Sequence, residues 1–232
     1  MENFIRALNS GRFDGLQMFQ LKQINQKMPS LKNLDLLANP KLNHLQMEQV
    51  RIGIQEGLDV SVYAKENFTS EQMKYLRICL KEDLNTQYLL NPNFSSYQMN
   101  AIYNCLKEGL DASFISNKLI EDDKISVIVA GLRNGVNVSL YADKGYDFLQ
   151  MYEIFDGLKR GVDVSVYSDP WYNSDQMREI KFGLSDGVDV SQYANPSISA
   201  KEMEVKRKSL RREKHESDSK GSGFKLSSIF GK

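Results

Sequence analysis

Hydrophobic and polar positions recur along this chain with a period of 26 residues. The dipeptide Gln-Met marks the period, and successive copies at Met47, Met73, Met99, Met151 and Met177 are 26, 26, 52 and 26 residues apart. Apolar residues at positions 0, +3 and +7 from this anchor lie on one face of an α-helix, so each copy predicts an amphipathic helix. A first copy with a three-residue insertion and two variant copies complete the series. The eight position-0 residues are Met18, Met47, Met73, Met99, Ile125, Met151, Met177 and Met203.

The residues just before each anchor predict where its helix begins. Position −4 carries Asp, Asn, Thr or Ser in seven copies, and position −1 carries Gln in six copies and Glu in one. This is the pattern of a capping box, in which the two side chains satisfy each other's free backbone amides. An apolar residue at −5 in every copy adds a hydrophobic staple against position 0.

Glycine and proline predict where the helices end. Glycine at +10 suits the left-handed residue that closes a helix, which gives a first helix of about 12 residues; Asp83 replaces it in one copy. Asp or Asn at +12 then caps a short second helix of one to two turns, of α or 3₁₀ type, which a proline stops. Glycine at +6, replaced by Cys79 and Cys105, suggests a close crossing of two backbones. Tyrosine at +16 suggests half-buried packing, the alternative being a ladder on which bases stack.

Neither helix of the unit can bury its apolar face alone, so neighbouring copies must cover it. The predicted fold is all-α: a right-handed-type α-solenoid of seven to eight 26-residue repeats, each a helix of about 12 residues plus a short second helix. The predicted organisation is an N-terminal capping segment (1–12), the solenoid (13–200), a charged terminal helix (201–216) and a flexible tail with a short apolar motif (217–232).

The unit Q-M-x-x-I-x-x-G-L-x-x-G-V-D-V-S-x-Y-A-x-P resembles helical repeats of uncharacterised proteins from Clostridia-like Gram-positive bacteria and their mobile elements. The resemblance covers roughly residues 13–205 and is best over 46–64 and 150–194. It implies a helical interaction module without catalytic residues. It also prompts the hypothesis of a phage or mobile-element accessory protein that acts on a host system.

Composition excludes several other classes of protein. With 41% hydrophobic and 26% charged residues, the chain is typical of a folded soluble protein rather than a disordered one. No apolar run approaches 18 residues and no secretion signal opens the chain, so we expect no membrane span and a cytoplasmic location. Two cysteines and two histidines give no zinc motif, the calcium-loop pattern is missing, and no nucleophile accompanies a base. We therefore predict no enzyme, no metal and no cofactor.

Charge is divided unevenly along the chain. Residues 201–232 carry ten Lys or Arg and five Asp or Glu, out of 30 of each in the whole chain. Four cations at +8, namely Lys81, Lys107, Arg133 and Lys159, would form a row along a solenoid, with Arg51, Arg77 and Lys181 one turn earlier. This row is either a groove for an anionic partner or a set of cations that stabilise helix C-termini.

The C-terminal segment holds a second candidate site. Phe224, Leu226, Ile229 and Phe230 follow the glycine- and serine-rich stretch 217–223 in a basic setting. The segment is a docking motif, a weak membrane-surface contact or an inert terminus.

Non-catalytic protein binding, as a scaffold, adaptor or inhibitor, is the function that these patterns favour. The irregular stretch 76–130 is a first candidate for the contact surface, because departures from packing rules often mark function. The alternative is nucleic-acid binding through the basic row and the basic C-terminal helix, which salt should weaken steeply.

Overall fold

A computed structural model describes residue 6 and residues 8–24 and 31–227 of the chain. Over these residues the fold is all-α, as predicted, and contains no strand. The α-helices are α1 Gly15–Lys22, α2 Leu31–Leu37, α3 His44–Gln55, α4 Ser70–Lys81, α5 Ser96–Lys107, α6 Ser113–Ser116, α7 Asp122–Arg133, α8 Phe148–Arg160, α9 Ser174–Asp186 and α10 Ala200–Ser227. Five 3₁₀ helices also occur: η1 Val60–Val62, η2 Thr86–Leu89, η3 Val138–Leu140, η4 Val164–Val166 and η5 Val190–Gln192.

The predicted helix starts and lengths are confirmed in the regular copies, whereas α1, with 8 residues, is shorter than predicted. Reciprocal capping boxes open α1, α3, α4, α8 and α9, and Ser199 with Glu202 does the same for α10. The helices α3, α4, α5, α8 and α9 are 12 or 13 residues long. The short second helix is 3₁₀ in five copies, and in the copy that contains α6 it is a single α-turn.

Glycines at +10 adopt the left-handed conformation that the sequence predicts, with φ between +65° and +74°. Asp83 holds the same position with φ +55°, and it is the non-glycine residue with positive φ in the described chain. A side chain in this region crowds the backbone and costs about 1 kcal/mol.

Asp83→Gly should therefore stabilise the protein. We expect the free energy of unfolding to rise by about 0.5–1 kcal/mol, because glycine reaches this conformation without steric cost. Urea unfolding followed by circular dichroism measures it. The reverse change Gly135→Asp, at the equivalent position of another repeat (φ +66°), should lower the stability by a similar amount. An unchanged or lowered stability of Asp83→Gly would mean that the aspartate makes a compensating contact.

The chain divides into two compact units, one ending at Asp122 and the other beginning at Asp123. In the first unit α1 packs on α3, α3 on α4 and α4 on α5, and in the second α8 packs on α9 and α9 on α10. The division falls in the least regular copy, where Glu121 replaces the N-cap residue and Lys124 replaces the glutamine of the capping box.

The C-terminal helix is longer than the sequence predicts. A flexible linker was expected over residues 217–223, but α10 continues through it to Ser227. The serines fit the helix because Ser217 Oγ donates to the carbonyl oxygen of Lys214 at 2.7 Å and Ser219 Oγ donates to that of Glu216 at 2.9 Å. Of the predicted tail motif, Phe224 and Leu226 belong to α10, while Ile229 and Phe230 lie outside the described residues.

Candidate functional site

The glutamine at −1 joins each repeat to the next one. In five copies its Oε1 accepts from the N-cap amide of its own helix. Its Nε2 donates to carbonyl oxygens in the segment between its own long helix and the next one. Gln176 Nε2, for example, lies 2.8 Å from the carbonyl oxygen of Pro196 and 2.7 Å from that of Ile198. The equivalent donors are Gln17, Gln46, Gln72, Gln98 and Gln150. Sequence reasoning assigned these glutamines to capping alone. The signal for the second role was the preference for Gln over Glu, since an amide both accepts and donates whereas a carboxylate only accepts.

The tyrosine at +16 fills the space above the glycine at +6 of its own repeat. Tyr167 is fully buried, and its Oη donates to the carbonyl oxygen of Glu153 at 3.2 Å. A Cβ on Gly157 would overlap that Oη. The same arrangement is found for Tyr63 over Gly53, Tyr141 over Gly131 and Tyr193 over Gly183.

Two interpretations from the sequence are therefore wrong. The glycine at +6 makes room for a tyrosine, not for a crossing backbone, and the tyrosines are 0–1% exposed rather than half-buried. Burial raises the pKa of each of these phenols, to about 12 at Tyr193. Rings this enclosed offer no face on which a base could stack.

Where +6 is cysteine, +16 is aliphatic. Cys79 is paired in this way with Leu89, and Cys105 with Ile115, and all four side chains are fully buried. The larger residue at +6 thus accompanies a smaller one at +16. Burial also raises the pKa of the Cys79 thiol to about 12, which disfavours the reactive thiolate.

Basic residues at +4 reach back to the preceding repeat. Arg77 Nη1 lies 2.8 Å from Glu56 Oε2, and Lys181 Nζ lies 2.5 Å from Glu153 Oε2 and 2.6 Å from Asp156 Oδ2. The Lys181 side chain is 3% exposed. These cations are engaged between repeats, so the interpretation of Arg77 and Lys181 as part of an open anionic groove is wrong.

Acid should weaken the packing of α9 on α8. Burial raises the pKa of Asp156, but hydrogen bonds from Lys181 and Arg160 outweigh it and hold the pKa below its ordinary value of 3.8. A lowered folded-state pKa gives stability that is complete above the unfolded value and is lost as pH falls through the folded value. We expect urea midpoints to fall as pH decreases below about 4. Asp156→Asn should flatten this slope, whereas Asp218→Asn, which removes an exposed carboxylate of α10, should leave it unchanged; equal slopes in all three proteins would contradict the assignment.

Two of the four cations of the predicted basic row form ion pairs within the protein. Lys81 Nζ lies 2.6 Å from Glu56 Oε1, and Lys107 Nζ lies 3.7 Å from Glu82 Oε1 and 3.2 Å from Tyr103 Oη. Lys81 and Lys107 therefore each pair with a carboxylate of the preceding repeat. The other two members, Arg133 and Lys159, lie exposed in the last turns of α7 and α8. Binding of an anionic partner along this row stays a prediction.

Exposed apolar side chains concentrate at one end of the helices. Of the nine large hydrophobic side chains that are exposed among the described residues, eight occupy positions −6, −2 or +1. These positions lie among the first five residues of a long helix or in the loop before it, and we call them the N-terminal rim. The rim residues are Leu16, Phe19, Leu45, Tyr97 and Leu119 in the first unit and Leu149, Tyr152 and Trp171 in the second. The sequence signal for the rim is the presence of apolar residues outside the buried stripe 0, +3 and +7.

Outside the rim, the ninth exposed side chain, Val205, borders a groove between η5 and α10. The groove has a volume of about 690 Å³ and is lined also by Tyr193, Ile198 and Ser209. In earlier repeats the short helix packs its tyrosine over position +6 of the long helix. Here α10 continues past +10, where Glu213 replaces glycine, so no short helix within the described chain covers Ser209.

Within the described residues, no group of three or more His, Cys, Asp or Glu side chains is placed to hold a metal ion. None of the described helices is both long enough and apolar enough to cross a membrane. Comparisons of the chain with models of protein families, with curated proteins and with solved structures gave no match.

Proposed function

We propose that the chain is a non-catalytic protein-binding module, a scaffold, adaptor or inhibitor, whose seven to eight repeats stack as a solenoid. Each unit contacts the partner through its own residues of the N-terminal rim. We also propose that the protein acts in the cytoplasm. Because the repeat unit resembles helical repeats of proteins from mobile elements, we further propose that the protein is an accessory protein of a phage or mobile element and that it acts on a host system.

The distribution of exposed apolar residues carries this proposal. Scattered surface leucines are ordinary in folded proteins, but here eight of nine fall on three repeat positions. Aromatic side chains such as Trp171, which is 83% exposed, are typical anchors of protein interfaces. A surface of this kind favours a protein partner over an anionic polymer.

The use of the recurring polar side chains supports a non-catalytic role. The glutamine at −1 bonds to backbone groups at the start of the next repeat, and the tyrosine at +16 and the aspartate at +12 bond to backbone groups of their own repeat. Hydrogen bonds from Ser165 lower the pKa of Asp163, as expected for a capping carboxylate. These side chains serve packing, so the variable rim positions are left to distinguish partners.

Affinity capture from host lysate tests the proposal when it is done with matched surface variants. The rim variant Leu45→Ser with Leu149→Ser is compared with Glu71→Ser and Asp123→Ser, which change exposed polar residues at the same repeat position −2. We expect a stoichiometric protein partner that survives nuclease treatment and is lost from the rim variant alone.

Two results would overturn this assignment. Capture that is equally strong with the rim variant would exclude the rim as the binding surface. Nucleic acid recovered alone, and released as salt rises, would favour the basic row and the cations of α10 instead.

A further inference from the structure

The second unit carries the rim cluster with the most exposed aromatic residue. Leu149, Tyr152 and Trp171 are 55%, 47% and 83% exposed. Leu149 and Tyr152 are three residues apart on α8 and so share a face of that helix. Gln150, next to Leu149, donates to the carbonyl oxygens of Pro170 and Tyr172, the two neighbours of Trp171. These bonds bring Trp171 beside the first turn of α8 and make the three side chains one surface, which we call the Trp171 cluster.

Carboxylates surround the Trp171 cluster. Asp169 accepts from the backbone amide of Trp171 at 3.0 Å, and Asp147 accepts from that of Gln150 at 2.8 Å, so both are held at its edge. Asp175 lies in the first turn of α9 and forms an ion pair with Arg178. Lys144 is the exposed cation in the loop before α8. Three carboxylates against two cations leave this surface acidic and apolar, which suits a partner that is basic and apolar.

The chain itself contains a segment of that chemistry. Residues 224–230 supply Phe224, Leu226, Ile229 and Phe230 around Lys225. Residues 219–232 contain three lysines and no acidic residue. This is the docking motif predicted from the sequence, and its charge complements that of the Trp171 cluster.

The segment cannot reach the Trp171 cluster of its own molecule. Hydrogen bonds from Gln176 to Ile198 hold the starts of α9 and α10 together, and Lys214 Nζ donates to the carbonyl oxygen of Gly187 at the other end of α9, so the two helices are parallel. At 1.5 Å per residue, Ser227 lies about 40 Å from the start of α10. Three further residues to Phe230 span at most about 10 Å. Residue 227 thus lies far from the rim on which the cluster sits, and three more residues are too few to span the distance back.

We propose that residues 224–230 of one molecule dock on the Trp171 cluster of a second copy. The inference rests on the proposed function of the rim as a binding surface and names one partner for it. The contact joins two different surfaces, so two copies form a closed dimer when the docking is reciprocal, and a ring or an open chain of copies forms when it is not. The small area makes it a weak, concentration-dependent association.

Trp171 is the single tryptophan of the chain, so its fluorescence reports on this contact directly. In the full-length protein we expect the emission to shift to shorter wavelength as concentration rises, together with a rise in mass by sedimentation velocity. Leu226→Asp with Phe230→Asp should weaken association by at least about tenfold. The charge-matched control Ser227→Asp with Ser228→Asp keeps the apolar anchors and should weaken it much less.

A synthetic peptide of residues 221–232 completes the test. Added to the Leu226→Asp, Phe230→Asp protein, it should restore the emission shift, and Leu149→Ser should abolish this effect while Leu45→Ser, at the same position of another repeat, should not. A protein that stays monomeric with unshifted emission, and does not respond to the peptide, overturns self-docking. That result leaves the capture experiment unaffected, so the two proposals fail separately.

Discussion

Gly157→Ala should destabilise the protein by about 2–3 kcal/mol, although a helix interior ordinarily gains about 1 kcal/mol from this change. The added methyl group would overlap Tyr167 Oη, whose ring is enclosed on all sides. Either the ring moves and loses its hydrogen bond to the carbonyl oxygen of Glu153, or α8 shifts. Urea unfolding measures the change in the free energy of unfolding. A decrease indicates the clash with Tyr167, whereas an increase would indicate that helix propensity dominates.

The pairs Cys79 with Leu89 and Cys105 with Ile115 suggest that a smaller side chain at +16 compensates for a larger one at +6. We therefore expect Gly157→Ala and Tyr167→Leu together to cost less stability than the sum of the two single losses. Tyr167→Leu alone should cost about 2–4 kcal/mol because it leaves a cavity. In the double variant the methyl group occupies part of that space, so we expect at least about 1 kcal/mol of favourable coupling in a double-mutant cycle. Gly15→Ala is the control, because a Cβ there meets nothing within 4 Å. Additive effects of the two changes would show that the residues do not share this space.

Gln176→Glu is the second substitution for which we expect a large loss of stability. The free energy of unfolding should fall by about 2–4 kcal/mol at neutral pH. The carboxylate keeps the capping bond but cannot donate to the carbonyl oxygens of Pro196 and Ile198, and it places a charge against both. The pKa of the introduced carboxyl is raised in the folded state, so the deficit should grow as pH rises through that value and shrink in acid. Urea unfolding at a series of pH values follows it.

Gln87→Glu serves as the comparison for this substitution. Gln87 is an exposed residue of η2, and the change adds the same charge without touching a joint between repeats. It should alter the stability by less than about 0.5 kcal/mol. If the Gln176→Glu protein were as stable as this control, the glutamine would not be needed to hold neighbouring repeats together.

The sequence predicts the local structure of the chain well, because the signals for caps and turns are local. The boxes at Asn43 and Asp147, the left-handed glycines and the 3₁₀ helices are all as expected. Each depends on residues within about five positions of one another, where spacing fixes geometry.

Contacts between repeats were the part that the sequence did not show. Lys181 looks like a surface cation by composition and spacing, yet it is buried against Glu153 and Asp156 of the preceding helix. Which face of α9 meets α8 depends on packing angles that periodicity does not contain. The rim, which includes Trp171, was missed for the opposite reason: its residues are apolar but are not used by the core.

The dependence between positions +6 and +16 restricts how such a chain can evolve by recombination. A repeat copied whole carries its own glycine and tyrosine, or its own cysteine and aliphatic residue, and stays compatible with itself. A crossover inside the ten residues that separate them would combine Cys105, for instance, with a tyrosine and lose the fit. Duplication breakpoints in homologous arrays should therefore avoid this interval and fall in the remaining 16 residues of the period, near the loops before each helix.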